Sequence, residues 1–205
     1  MGKPRSQREL AQALLGERGI LRLVELREAG VTAATMSRME RAGEVIRLSR
    51  GVYQLPDADQ DPNHSLAEAA KRVPKGVVCL VSALAFHGLT DQLPSKVWMA
   101  IGPKDWAPQR VGTPIRIVRF TGGLLRENFE THAIEGVPVK VFGVAKTVAD
   151  CFRHRGKVGL PVAIEGLKEA LRQRKASPAE IARHAEKGGV STVIRPYLEA
   201  LTANA

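Results

Sequence analysis

No run of about 18 consecutive apolar residues occurs in this sequence, so a membrane-spanning helix is not among the readings open to it. The opening residues also lack the charged, apolar and small-residue order of a secretory signal, which argues against secretion. Cysteine is almost absent. Cys79 and Cys151 lie far apart among apolar neighbours, which excludes a disulfide framework or a cysteine-rich metal site and predicts buried thiols in a reducing cytoplasm. Acidic residues are in deficit, 21 against 31 Lys and Arg, and the resulting net charge of +10 favours an anionic partner, nucleic acid first.

Catalytic signatures are missing as well. There is no G-x-S-x-G elbow around Ser82, no HExxH, no EF-hand loop and no Cys/His cluster. Gly143-Val144-Ala145-Lys146-Thr147 ends like a phosphate-binding loop but lacks the glycine before the lysine and the upstream glycine, so no backbone cradle is expected. Asp150, Glu165 and Lys168 are residue types that could hold a metal in a nuclease, but Glu165 and Lys168 have the spacing of a solvated helix pair. The sequence predicts neither an enzyme nor a cofactor.

What is present is concentrated between Gly30 and Leu55. Val31 precedes a candidate N-cap, Thr32, and Met36 falls at the fourth helical position, giving both a cap and a hydrophobic staple. At about 100° per residue, Thr32, Met36, Met39 and Gly43 share one face, and Ala34, Arg38 and Arg41 the other, with Thr35 and Ser37 flanking the outward stripe. A small, polar, arginine-bearing face suits a major groove, where guanidinium groups read guanine edges and hydroxyls approach phosphate or base. Two β-rich runs follow, Val45 to Leu48 and Val52 to Leu55, joined through Ser49-Arg50-Gly51 as a hairpin. Arg47 and Arg50 then fall on and near a wing tip.

Two helices are expected before this stretch, Gln7 to about Glu17 and Ile20 to Ala29, the second with Ile20, Leu23 and Val24 inward. Helix, helix, turn, helix, hairpin is the order of a winged helix-turn-helix whose third helix enters the groove. Lys3, Arg5 and Arg8 read as a basic N-terminal arm. The boundaries follow: residues 1–56 as a winged helix-turn-helix DNA-binding domain, 57–64 as a proline-bracketed acidic linker, and 65–205 as a C-terminal domain. Residues 1–56 alone are expected to bind DNA, more weakly than the whole chain.

Beyond the linker, Ser65 and Glu68 have capping-box spacing, and a short strand over Val77 to Val81 precedes a helix from Ser82 to His87. Strands are predicted at Lys96 to Ile101 and Ile115 to Phe120, with a hairpin from Thr131 to Phe142 turning at Glu135-Gly136. Helices close the chain, one of them opening on Ser177-Pro178-Ala179-Glu180. Strands before helices without regular alternation give an α+β fold class. Arg153, Arg155 and Lys157 are candidate further basic contacts.

Three stretches resemble the AbiEi antitoxins of type IV toxin-antitoxin and abortive-infection systems: Arg47-Leu48-Ser49-Arg50-Gly51-Val52-Tyr53-Gln54-Leu55-Pro56, Ser82-Ala83-Leu84-Ala85-Phe86-His87-Gly88-Leu89, and Val139 to Phe142 leading into Lys146 to Phe152. The resemblance implies a bacterial DNA-binding autorepressor acting on inverted repeats in its own promoter, on double-stranded DNA. Its C-terminal domain would counter a nucleotidyltransferase-like toxin without needing a stable complex. It carries Thr35, Ser37, Arg38 and Arg41 over as recognition-helix contacts, Arg47 and Arg50 as wing contacts, and the Ser82 to Leu89 motif and Asp150 as structural anchors. The alternative is a stand-alone winged-helix transcription factor with a C-terminal sensor domain.

Overall fold

The computed structural model describes residues 6–58, 61–107 and 112–203. They form the expected mixed α+β fold, and compactness divides the chain into two units. The first comprises Met1–Lys75, Ala107–Ile115 and His132–Val139; the second comprises Gly76–Trp106, Arg116–Thr131 and Lys140–Ala205. Compactness therefore does not divide the chain at 57–64, the linker read from the sequence.

In the first unit, helix α1 (Gln7–Arg18) opens on a reciprocal capping box: Ser6 Oγ accepts the Glu9 N–H and the Glu9 carboxylate accepts the Ser6 N–H. The stretch expected as one helix from Ile20 splits into strand β1 (Leu21–Arg22) and helix α2 (Leu23–Glu28). Leu21 and Arg22 pair with Tyr53 and Val52, so the helix starts late and its faces rotate. Leu26 is fully buried and Val24 is exposed, the reverse of the expected placing of Val24. Helix α3 (Ala33–Arg41) follows, then strands β2 (Ile46–Ser49) and β3 (Val52–Gln54). The three strands form an antiparallel sheet in the order β1-β3-β2, and Gly51, at φ 73°, makes the tight turn between the last two. Ala11, Leu15, Leu26, Val31, Met36, Met39, Val45 and Tyr53 close the core beneath it.

Helix α4 (His64–Arg72) belongs to the same unit. Its expected capping box is absent, because Asn63 occupies the cap position and Glu68 turns inward. There the Glu68 carboxylate accepts from the Thr113 backbone N–H at 3.1 Å and from the Thr113 hydroxyl. A buried carboxylate needs such donors, and they come from a distant loop that local spacing does not reveal. Gly136, at φ 71°, has its own close approach: a Cβ there would fall 2.6 Å from the Arg18 carbonyl oxygen.

The second unit holds strands β4 (Val77–Val78) and β5 (Val97–Ile101), β6 (Ile115–Arg119) from Arg116 on, and those residues of β7 (Phe129–Ile134) and β8 (Val137–Phe142) that lie outside His132–Val139, which compactness assigns to the first unit. Their sheet order is β6-β5-β4-β8-β7, with β4 antiparallel to β5 and parallel to β8. Between and after them run α5 (Leu80–Phe86), α6 (Gly122–Arg126), α7 (Val144–Arg153), α8 (Arg155–Val158), α9 (Leu160–Arg172), α10 (Pro178–Lys187) and α11 (Ser191–Thr202). The predicted start of α10 is realised in full, with Ser177 as cap, Pro178 at its first position and Glu180 completing the box. Helix α7 is the centre of this core: every residue from Ala145 to Phe152 is buried. Among the described residues no helix is long and apolar enough to cross a membrane.

Candidate nucleic-acid interface

Thr32 caps α3, its hydroxyl accepting the Thr35 N–H at 3.2 Å, while Val31 and Met36 are both fully buried in the core. The cap is reinforced from α1. Gln7 Oε1 receives the Thr32 N–H at 3.1 Å, the Thr35 hydroxyl at 2.7 Å, and stands 3.0 Å from the Thr32 hydroxyl. The recognition-type helix is thereby fastened at its first turn to the helix that precedes the motif.

The outward face of α3 carries Ala33, Ala34, Ser37, Arg38, Arg41 and Ala42, all exposed. Arg38 Nη2 donates to Thr35 Oγ1 at 3.3 Å, and Arg41 Nε to the Ser37 carbonyl at 3.3 Å. Each guanidinium commits one nitrogen to its own helix and presents the remainder outward. Thr35 is not part of this face, a correction to the reading from the sequence. Only 5% exposed, it shares the inner stripe with Met36 and Met39, and its hydroxyl is held by Gln7.

On the wing, Arg47 and Arg50 are exposed. Arg47 Nε donates to the Ser49 carbonyl at 3.4 Å and Nη1 lies 4.0 Å from Glu40 Oε2. Arg8, expected in a basic arm, is the second residue of α1 and pairs with Glu44 at 2.6 Å. Lys3 and Arg5 lie outside the described residues.

The basic candidates of the second unit separate by burial. Arg155 and Lys157 are exposed on α8, but Arg153 is half-buried, with its guanidinium carbon 5.9 Å from the centre of the Phe120 ring and Nη1 buried without a hydrogen-bond partner. Arg153 is thus a packed residue and not an open phosphate contact. Missed from the sequence was Gln7, whose only signal was its place just after a cap.

The residues weighed for catalysis are dispersed into structural contacts. Ser82 lies within α5, which begins at Leu80 and not at Ser82, and its Oγ accepts the Trp98 N–H at 3.0 Å. His87 Nε2 is 2.8 Å from the Phe142 carbonyl, and because a carbonyl only accepts, that nitrogen carries the proton. Asp150 binds Lys146 Nζ at 2.7 Å, whereas Glu165 accepts from the Thr90 hydroxyl at 2.8 Å. Asp150 and Glu165 therefore serve different contacts. Among the described residues no group of three His, Cys, Asp or Glu side chains is placed to hold a metal.

Burial raises the Asp150 carboxyl above its ordinary range, with Lys146 pulling the other way, and it raises the Cys79 and Cys151 thiols too. His154 shows the converse. Burial first, then Lys157, Arg153 and Lys146, push it down to about 4, and its Nε2 is buried without a partner. An unfolded chain takes up this proton near pH 6.5, the native state only near pH 4, so stability is lost as pH falls through that window. The full shift corresponds to about 3 kcal/mol, which the ring's partial exposure reduces to about 1 to 2 kcal/mol. His154→Phe, keeping the packing on Phe120, is expected to flatten urea-denaturation stability between pH 6.5 and pH 4 by that amount. Parallel wild-type and variant curves would remove His154 as the cause.

Three helices followed by a two-stranded hairpin, with exposed arginines on the outer face of the third helix and on the hairpin, have the element order of a winged helix-turn-helix. Residues 8–56 match the model of a family described as transcriptional regulator, AbiEi antitoxin, and over that stretch the resemblance to these antitoxins is shown. No curated protein matches the chain. Among solved structures, the RV2827C protein from Mycobacterium tuberculosis is similar with a TM-score of 0.58, over 95% of this chain and 79% of that one. At 14% identity the likeness concerns the fold.

Proposed function

We propose that this chain is the antitoxin and transcriptional autorepressor of a type IV toxin-antitoxin operon, binding inverted repeats in its own promoter and countering a nucleotidyltransferase-like toxin. The observation that carries the reading is the exposed Ser37-Arg38-Arg41 face, on a helix fastened at its first turn and followed by an arginine-bearing wing. The regulator family matching the same residues supports it. Residues 1–56 do the reading, 57–64 connect, and 65–205 carry the action against the toxin. That action needs no stable complex between the two proteins.

Operator binding is tested by fluorescence anisotropy of the full chain on the DNA upstream of its own reading frame, with a scrambled duplex as control, across a salt series. The native duplex is expected to bind about a thousandfold more tightly. The log-log salt slope should steepen by about 0.9 for each phosphate neutralised. Equal, weak binding to both duplexes would sink the repressor reading. The antitoxin half is tested by a search for a nucleotidyltransferase-like reading frame beside its own and by co-expression with that product: growth should be rescued, and the lack of such a frame or of rescue would leave a regulator alone.

A further inference from the structure

Gln7 carries more than the fastening of α3. The backbone N–H of Thr32 can only donate, so the atom of the Gln7 amide that meets it must be the oxygen. That fixes the amide's orientation. Two threonine hydroxyls crowd the same oxygen, and the Gln7 NH2 group has no partner among the described residues. A terminal amide is thus held by its oxygen and offers two N–H donors, on an exposed residue at the start of α1. The same cleft is bordered by Ser6, Arg8, Thr32 and Arg38. It therefore adjoins the face proposed to enter the groove.

We propose that Gln7 is a DNA-backbone contact: its amide NH2 donates to a phosphate oxygen flanking the groove that α3 enters. The inference rests on the DNA-binding reading above. A phosphate suits this donor better than a base does, because Gln7 belongs to α1 and not to the reading helix, and neutral amides commonly bind phosphate to set register. The contact would set how deep and at what angle α3 lies, through the same side chain that holds its cap.

Gln7→Glu separates the two roles. A carboxylate still accepts from Thr32 and Thr35, and an acidic residue in the first turn favours α1, so the thermal midpoint should hold. The outward donor, however, is replaced by an anion facing phosphate. The full-length variant is expected to bind both native and scrambled duplexes about tenfold or more weakly, leaving their ratio unchanged, because a backbone contact carries no sequence information. Phosphate-ethylation interference provides a readout independent of stability: ethylation at one phosphate in each repeat should hinder the wild-type chain and cease to matter for Gln7→Ala. Wild-type operator binding with Gln7→Glu equally tight, or an unchanged interference pattern in Gln7→Ala, would overturn the contact and leave the repressor reading standing. A wild-type chain that preferred no duplex would overturn both. An affinity loss confined to the native duplex would assign Gln7 to base reading and overturn the backbone contact.

Discussion

Asp150→Ala is expected to destabilise the second unit by about 3 to 5 kcal/mol, the cost of leaving a buried charge without its partner. Lys146 Nζ and Asp150 Oδ2 are 2.7 Å apart on consecutive turns of α7, with side chains 3% and 4% exposed. The ammonium also lies 4.2 Å from the Phe142 ring centre and 5.2 Å from that of Phe120. Those ring faces are worth about 0.5 to 2 kcal/mol and cannot replace the carboxylate. Removing both charges is a different case. Lys146→Met with Asp150→Leu should recover most of the loss, because neither ion must then be desolvated. Urea denaturation of the single and double variants decides it, and a double variant as unstable as Asp150→Ala would mean that packing, not charge, matters at this site.

The second large effect is expected on the outer face of α3. Arg38→Ala or Arg41→Ala should weaken operator binding by about 1 to 3 kcal/mol where the lost contact is a bidentate base pair. That corresponds to about 5- to 150-fold in affinity. Both side chains are exposed, so melting temperatures should change little. The pattern across duplexes assigns the role. A base reader loses discrimination at one position, whereas a phosphate contact weakens all sequences and lowers the salt slope by about 0.9. Operator affinity unchanged in both variants would remove α3 as the reading helix.

The parts of this fold that were legible in the sequence are those whose cause is local. The Thr32 cap, the Ser177 box with Pro178, and the turn at Glu135-Gly136 each depend on residues a few positions apart, and each is found where the spacing puts it. What was not legible depends on distant partners. Strand β1 is two residues long and exists because Tyr53 and Val52 pair with it, and that pairing turned Val24 outward and Leu26 inward. Thr35 went to the wrong face because a helical wheel cannot show that Gln7 awaits its hydroxyl. Glu68 reads as half of a capping box and Arg153 as a basic contact until Thr113 and Phe120 are seen beside them. Of the candidate interface, Ser37, Arg38, Arg41, Arg47 and Arg50 were legible as exposed side chains.

Two carboxylates next to this arginine-rich face bear on how such a regulator would search a genome. Glu44 holds Arg8 and Glu40 stands beside Arg47, so on the proposed reading each cation already has an internal counterion that a DNA phosphate must displace. That exchange lowers affinity for every sequence alike. Random DNA, which offers phosphates and little else, is penalised by the largest fraction of its binding energy. Dwell times on wrong sites shorten, while an operator that also engages α3 retains its base contacts. The acidic residues would act as a brake on idle residence, freeing the protein to reach its own promoter sooner.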